Sequence, residues 1–178
     1  MRKLLPLLFF IAVALQITAC SQKGNEADKT QQSGRSSSSF TLVGLDGKNT
    51  NLDEFKGKVV LLEFFATWCY PCEIAVADLQ RIYNKYKDKG FTVVAISEDE
   101  GSGAAVAVKK FVNNLRISYP VFIDDGKGSA ARHYGIFGLP TSFIIDRDGR
   151  VVAKHSGLSP DMMNEMSREI ETLLKKPL

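Results

Sequence analysis

The sequence predicts an α/β fold in which a mixed β-sheet is flanked by helices, and three observations lead there. Short apolar, β-branched runs such as Val59 to Phe65 and Phe91 to Ile96 alternate with longer runs whose apolar positions fall near helical spacing. The last two strand-like runs are separated only by Arg147-Asp148-Gly149, a hairpin signal that makes them an antiparallel pair. The element order is then βαβαβαββα behind an N-terminal hairpin, an arrangement that layers helices on a sheet. A length of 178 residues holds one such domain once the N-terminal stretch is set aside.

The chain opens with Met1-Arg2-Lys3 and an apolar run from Leu4 to Leu15. That run is short for a membrane span and reads as part of a signal peptide covering residues 1–19. Ile17-Thr18-Ala19-Cys20 looks like a bacterial lipobox, in which Cys20 becomes the lipid-bearing first residue. An ordinary signal peptide or an uncleaved anchor that contains a cysteine are the alternatives. An odd thiol in an exported protein needs an explanation, and acylation of Cys20 leaves Cys69 and Cys72 as a single pair. The next stretch, SQKGNEADKTQQSGRSSSS, has no apolar residue able to anchor it. Residues 20–39 therefore read as a lipidated cysteine and a flexible linker with a mean reach of roughly 24 Å. Residues 40–178 form the globular domain. Loss of 1–19 removes Arg2 and Lys3 and no acid, leaving 21 basic against 20 acidic side chains. That balance gives no reason to expect nucleic acid or an anionic surface as partner.

Within the domain, Phe40 to Leu45 and the segment around Asn49 to Leu52, joined through Asp46-Gly47, read as a short β-hairpin. Leu52 to Phe55 reads as a helical turn. Val59 to Phe65 is apolar apart from Glu63, as in a strand buried on both faces. Ile74, Val76, Leu79, Ile82, Tyr83 and Tyr86 mark a helix that Gly90 closes. After the strand Phe91 to Ile96, Gly101 to Gly103 breaks the chain and Ala104 to Leu115 forms another helix. Tyr119 to Ile123 is a strand, and Asp124-Asp125-Gly126 leads into a helix of about nine residues ending near Gly135. Strands Thr141 to Asp146 and Arg150 to Lys154 follow. The last helix runs from about Pro160 to Lys175, with Met166 and Ile170 on its inner face.

Strand, tight turn and helix place Trp68-Cys69-Tyr70-Pro71-Cys72 at a helix start. The positive end of a helix stabilises a thiolate. Cys69, nearer that end and more exposed, is the candidate attacking thiol, and Cys72, one turn in, the candidate resolving thiol. Pro71 suits a first turn, where its fixed φ fits and its missing N–H costs nothing. Tyr70 and Pro71 carry no positive charge, so the pair reads as a reductant or mild exchanger. A structural disulfide and a zinc site are the alternatives, but zinc needs four ligands and only His133 and His155 remain. No metal and no cofactor beyond the Cys69–Cys72 disulfide is expected. Trp68 either shields the pair and packs on partners or belongs to the core. His133 and His155 read as surface residues, and Phe111, Phe122 and Phe137 as core or loop packing.

Glu63 interrupts its strand between Leu62 and Phe64. A carboxylate that loses water with no cation nearby in sequence raises its pKa, so the group is expected to be neutral near pH 7. The alternative is a strand-end glutamate reaching solvent or Lys58.

These pieces resemble the thioredoxin superfamily, and within it the membrane-tethered TlpA/ResA-type thiol-disulfide oxidoreductases. The matching residues are Phe40-Thr41-Leu42, Asp46-Gly47-Lys48, Leu52 with Lys56-Gly57-Lys58, FFATWCYPC and Gly138-Leu139-Pro140-Thr141, in one consistent order. The resemblance implies a thioredoxin fold with an N-terminal β-hairpin extension and a central insertion. It implies that Pro140 is cis and opens a strand facing the disulfide, with the Leu139 backbone pairing with an extended client. Trp68, Tyr70, Pro71, Leu139 and Pro140 would bind substrate, and Cys69, Cys72 and Glu63 would be catalytic. Glu63 stands six residues before the first cysteine, where thioredoxins carry an acid that exchanges protons with the resolving thiol; many membrane-tethered relatives have Asn there. Ala75 and Ala77 replace a Glu and a helix-kinking Pro found in many relatives, so a regular helix is expected.

The function so implied is reduction of protein disulfides outside the cytoplasm, with cytochrome c maturation as the family's best-known example. The partners would be disulfide-containing protein clients and a membrane-embedded electron donor. The protein would be a monomer, lipid-anchored in the cell envelope and facing the periplasm or extracytoplasmic space. A peroxiredoxin-like thiol peroxidase is one alternative, but such a site needs Thr or Ser three residues before its cysteine and Pro seven before, where this chain has Ala66 and Leu62. A non-catalytic adaptor is the other. A copper chaperone of the CxxxC type is disfavoured by the two-residue spacing.

Overall fold

The computed structural model describes residues 40–176, so the signal peptide, Cys20 and the linker expected over 1–39 lie outside the described residues. Seven strands are present among the described residues: β1 (Leu42–Gly44), β2 (Asn49–Thr50), β3 (Val59–Phe65), β4 (Phe91–Ser97), β5 (Val121–Asp124), β6 (Thr141–Ile145) and β7 (Val151–Ser156). The helices are α1 (Tyr70–Tyr86), α2 (Ala104–Asn114), α3 (Ser129–Tyr134) and α4 (Met162–Leu174). One mixed sheet runs in the order β2-β1-β5-β4-β3-β6-β7. Strands β3, β4 and β5 are parallel, and the remaining pairings are antiparallel. The α2–β5 segment adds a parallel strand between β4 and the N-terminal hairpin, the place of the expected central insertion.

Strands β3 and β4 are buried at every residue, which their apolar composition requires of the middle of a sheet covered on both faces. Val59, Leu61 and Phe65 face one side, packed with Cys72 and Leu79 of α1, Val108 of α2 and Met166 of α4. Val60, Leu62 and Phe64 face the other, against Phe40, Leu42, and Ala130 and Tyr134 of α3. Side chains alternate along a strand, so Glu63 belongs to the face covered by α1. That alternation puts the one carboxylate of β3 on the side of the cysteines.

Helix α1 is one uninterrupted run of 17 residues, as Ala75 and Ala77 lead one to expect. A short 3-10 turn follows it, and Gly90 ends the run at φ 81°, in the left-handed region that glycine adopts without steric cost. Two elements are shorter than the sequence indicates. β5 starts at Val121 and not Tyr119, because Pro120 has no N–H for the ladder and contributes only its carbonyl, which accepts from Ala95 N–H at 3.0 Å. α3 spans six residues and not nine: Gly126 and Gly128 hold positive φ, and Asp124 and Asp125 accept backbone N–H groups around the helix start. No helix among the described residues is long and apolar enough to cross a membrane.

Candidate active site

Cys69 is the N-cap residue of α1, with extended backbone angles (φ −88°, ψ 98°), and its Sγ accepts a hydrogen bond from Cys72 N–H at 3.3 Å. Cys69 and Cys72 are joined as a disulfide, with Cα atoms 5.3 Å apart. Pro71 lies in the first turn. The backbone donor and the positive helix end together favour negative charge on Cys69 once the bond is opened. Cys69 is 6% exposed and Cys72 2%, so a client sulfur reaches Cys69 first.

The turn that carries the pair is tied down from β4. Asp99, itself buried, accepts from Thr67 N–H at 2.8 Å and from the Thr67 hydroxyl at 2.5 Å, and also from Ser97 Oγ at 2.6 Å. These charge-assisted bonds fix Thr67, and with it the next residue, Trp68. Trp68 is 71% exposed and Tyr70 72%, so Trp68 is not a core residue.

Glu63 is buried, 3% exposed, and reaches neither solvent nor Lys58. It sits opposite Ser142 in the β3–β6 pairing, and the Ser142 hydroxyl donates to its Oε2. No ion pair to Glu63 is present among the described residues. Burial pushes its carboxyl up to about 7, against a smaller downward pull from the Ser142 bond. Glu63 and Cys72 share the wall of a cavity of about 10 Å³, also lined by Val76, Ala95 and Tyr119. That volume is about the least room that one water molecule needs. Burial, and then the Glu63 charge, push the Tyr119 phenol up, so that it stays a hydroxyl.

A groove of about 580 Å³ passes over the disulfide, walled by Trp68, Cys69 and Tyr70 on one side and Phe137, Gly138 and Leu139 on the other. The Leu139–Pro140 peptide bond is cis. Thr141 Oγ1 donates to Gly138 O at 2.7 Å and Gly157 N–H to Pro140 O at 2.8 Å, which hold this loop against the end of β6. Trp68, Cys69, Tyr70, Pro71 and Leu139 thus line one groove, whereas Pro140, next to Leu139, is buried and Cys72 lies with Glu63 on the cavity beneath.

Three readings of the sequence are corrected. Phe137 is 99% exposed and forms part of the groove wall, whereas Phe111 stacks on Phe65 and Phe122 meets Phe55 edge-on. His155 is not a surface residue: its side chain is 12% exposed, and its Nε2 lies 2.8 Å from Glu169 Oε2 of α4. His133 is half-buried, against the rings of Phe40 and Tyr134. No cluster of three or more metal-ligating side chains occurs among the described residues. The sequence reading singles out neither Asp99, Ser142 nor Glu98, another groove residue, and gives Phe137 only a packing role. The acidic run Glu98-Asp99-Glu100 directly after β4 is the signal that could have found two of them.

The model of the Redoxin family matches residues 22–174. The thiol-disulfide oxidoreductase ResA of Bacillus thuringiensis subsp. konkukian is 38% identical over 149 residues, 84% of this chain and 80% of the relative. ResA of Halalkalibacterium halodurans is 33% identical over 172 residues, 96% and 93% of the two chains. Among solved structures, a putative thiol:disulfide interchange protein DsbE from Chlorobium tepidum superposes with a TM-score of 0.72 at 36% identity, covering 80% of this chain and 97% of that one. With its Cys69–Cys72 disulfide at a helix start and these relatives over most of its length, the chain belongs to the Redoxin family and is a TlpA/ResA-type thiol-disulfide oxidoreductase of the thioredoxin superfamily.

Proposed function

We propose that this oxidoreductase works as a reductant of protein disulfides outside the cytoplasm, cytochrome c maturation being the best-known setting of such proteins. The observation that carries this reading is Cys69 at the helix start, its Sγ held by Cys72 N–H and open to the groove. The Cys69 thiolate attacks one sulfur of a client disulfide, forming a mixed disulfide and releasing the other client sulfur as a thiolate. Cys72, deprotonated, then attacks Cys69 Sγ, and the second client sulfur leaves. The client gains two electrons and the protein loses them, its dithiol becoming the Cys69–Cys72 disulfide, so the exchange needs no other cofactor. Glu63 takes the Cys72 proton across the shared cavity and is the catalytic acid–base group. The Leu139 backbone beside cis-Pro140 pairs with an extended client segment, while Trp68, Tyr70 and Pro71 cover its other side.

The reductive direction is supported by Tyr70 and Pro71, which bring no positive charge to the Cys69 thiolate. A membrane-embedded donor would return the pair to the dithiol, and the protein would act as a monomer. The peroxidase alternative lacks support at Ala66 and Leu62, both fully buried and apolar where such a site uses a hydroxyl residue and a proline. The adaptor alternative leaves the formed disulfide and the open groove without a purpose. The midpoint potential of the Cys69–Cys72 pair tests the direction of flow.

Anchoring through Cys20 belongs to the same reading. Cys20→Ala should block lipidation and either release the domain or leave an unprocessed precursor, as fractionation and mass measurement would read out. A wild-type protein found wholly in the soluble fraction, with an unmodified Cys20, would contradict the lipid anchor.

A further inference from the structure

The groove over the disulfide contains one polar group that neither the fold nor the exchange chemistry uses. Glu98 follows β4 and lines the groove together with Trp68, Cys69, Tyr70 and Leu139. Its backbone N–H donates to Phe65 O at 2.8 Å, which fixes the residue at the end of β3. Its Oε1 is buried and has no hydrogen-bond partner. The acids around it are differently placed: Asp99 is taken up by Thr67 and Ser97, Asp124 by the N–H groups of Ala130 and Ala131, and Glu100 is exposed. Burial, then the charges of Asp124 and Glu100, push the Glu98 carboxyl up to about 7. A buried carboxylate oxygen without a donor is unfavourable, and the described residues offer it no cation.

We propose that Glu98 is a specificity-determining residue, which selects clients carrying an arginine or lysine beside the disulfide to be reduced. The proposal rests on the reductase reading and adds the chemistry of the preferred client. A basic side chain entering the groove supplies the donor that Oε1 lacks and neutralises a site crowded with acids. The same side chain passes the exposed rings of Trp68 and Tyr70, whose faces attract cations. Arginine fits best, because its planar fork matches a carboxylate and stacks on aromatic rings.

The test uses three disulfide-bonded peptides that differ only next to one cysteine, where they carry Arg, Gln or Glu. The reduced protein should favour the Arg peptide over the Gln peptide by about tenfold in kcat/KM, the size of one charge-assisted hydrogen bond, and mostly through KM. Glu98→Gln, which keeps size and acceptor but loses the charge, should bring that ratio to about one. Glu98→Lys should move the preference to the Glu peptide. Glu100→Gln, which removes a like charge that disfavours ionised Glu98, should not lower the ratio. A ratio unchanged in Glu98→Gln, or lowered equally by Glu100→Gln, would overturn the proposal. So would a wild type that reduces both peptides equally, an outcome that leaves the reductase reading standing. If the wild type reduces none of the peptides, the reductase reading fails and the proposal with it.

Discussion

Cys69→Ser should abolish disulfide reduction, a loss on the order of 10³-fold or more, while Cys72→Ser should capture clients in stable mixed disulfides. The two sulfurs differ because the sheet and α1 treat them differently. Cys69 caps the helix, accepts a backbone N–H and opens on the groove; Cys72 lies one turn in, against the cavity it shares with Glu63. Without Cys69 no sulfur on the groove side can attack. Without Cys72 the first attack proceeds and nothing displaces the client from Cys69. Non-reducing electrophoresis after brief exposure to a disulfide client reads both outcomes. Equal trapping by the two variants would contradict this division of labour.

Glu63→Gln should stabilise the protein above neutral pH and slow release of the mixed disulfide. The folded-state pKa of Glu63, about 7, lies above the ordinary value of 4.5 because burial disfavours the charge. The stability tied to this group is therefore fully present below about 4.5, declines as pH rises toward about 7, and levels off beyond. The two pKa values together correspond to about 3 kcal/mol for a carboxyl this deeply buried. Glutamine still accepts from the Ser142 hydroxyl, so the variant should show a flat profile through that window and exceed wild type by up to about 3 kcal/mol at pH 8. Denaturant unfolding at pH 5 and pH 8 reads the difference. Glutamine takes no proton, so resolution by Cys72 near pH 7 should slow by roughly 10–100-fold. An unchanged rate–pH profile for mixed-disulfide release would remove Glu63 from the chemistry.

Glu63 is legible in the sequence because a lone carboxylate in an apolar strand has no cheap place to go, and period-two alternation assigns it a face. The Cys-x-x-Cys at the start of α1 is legible for a similar reason: strand, turn and helix signals are all local. Phe137 is not, because an aromatic in a loop ordinarily packs inward. Its exposure follows from how residues 135–138 pass the disulfide before cis-Pro140, which no local pattern records. The run Glu98-Asp99-Glu100 looks like a solvated loop, yet packing divides it into a groove residue, a buried anchor for Thr67 and an exposed charge. His155 likewise takes its character from Glu169 on α4, a contact made only when the last helix docks.

The central claim is that the Cys69–Cys72 pair donates electrons to clients, and its midpoint potential tests that most directly. Equilibration of the purified protein in redox buffers of known ratio, followed by alkylation and mass measurement, gives the value. A reductant requires a potential near that of thioredoxin, roughly −270 mV, and this is the predicted result. A potential near roughly −120 mV, that of a strong disulfide donor, would reverse the direction of flow and contradict the account.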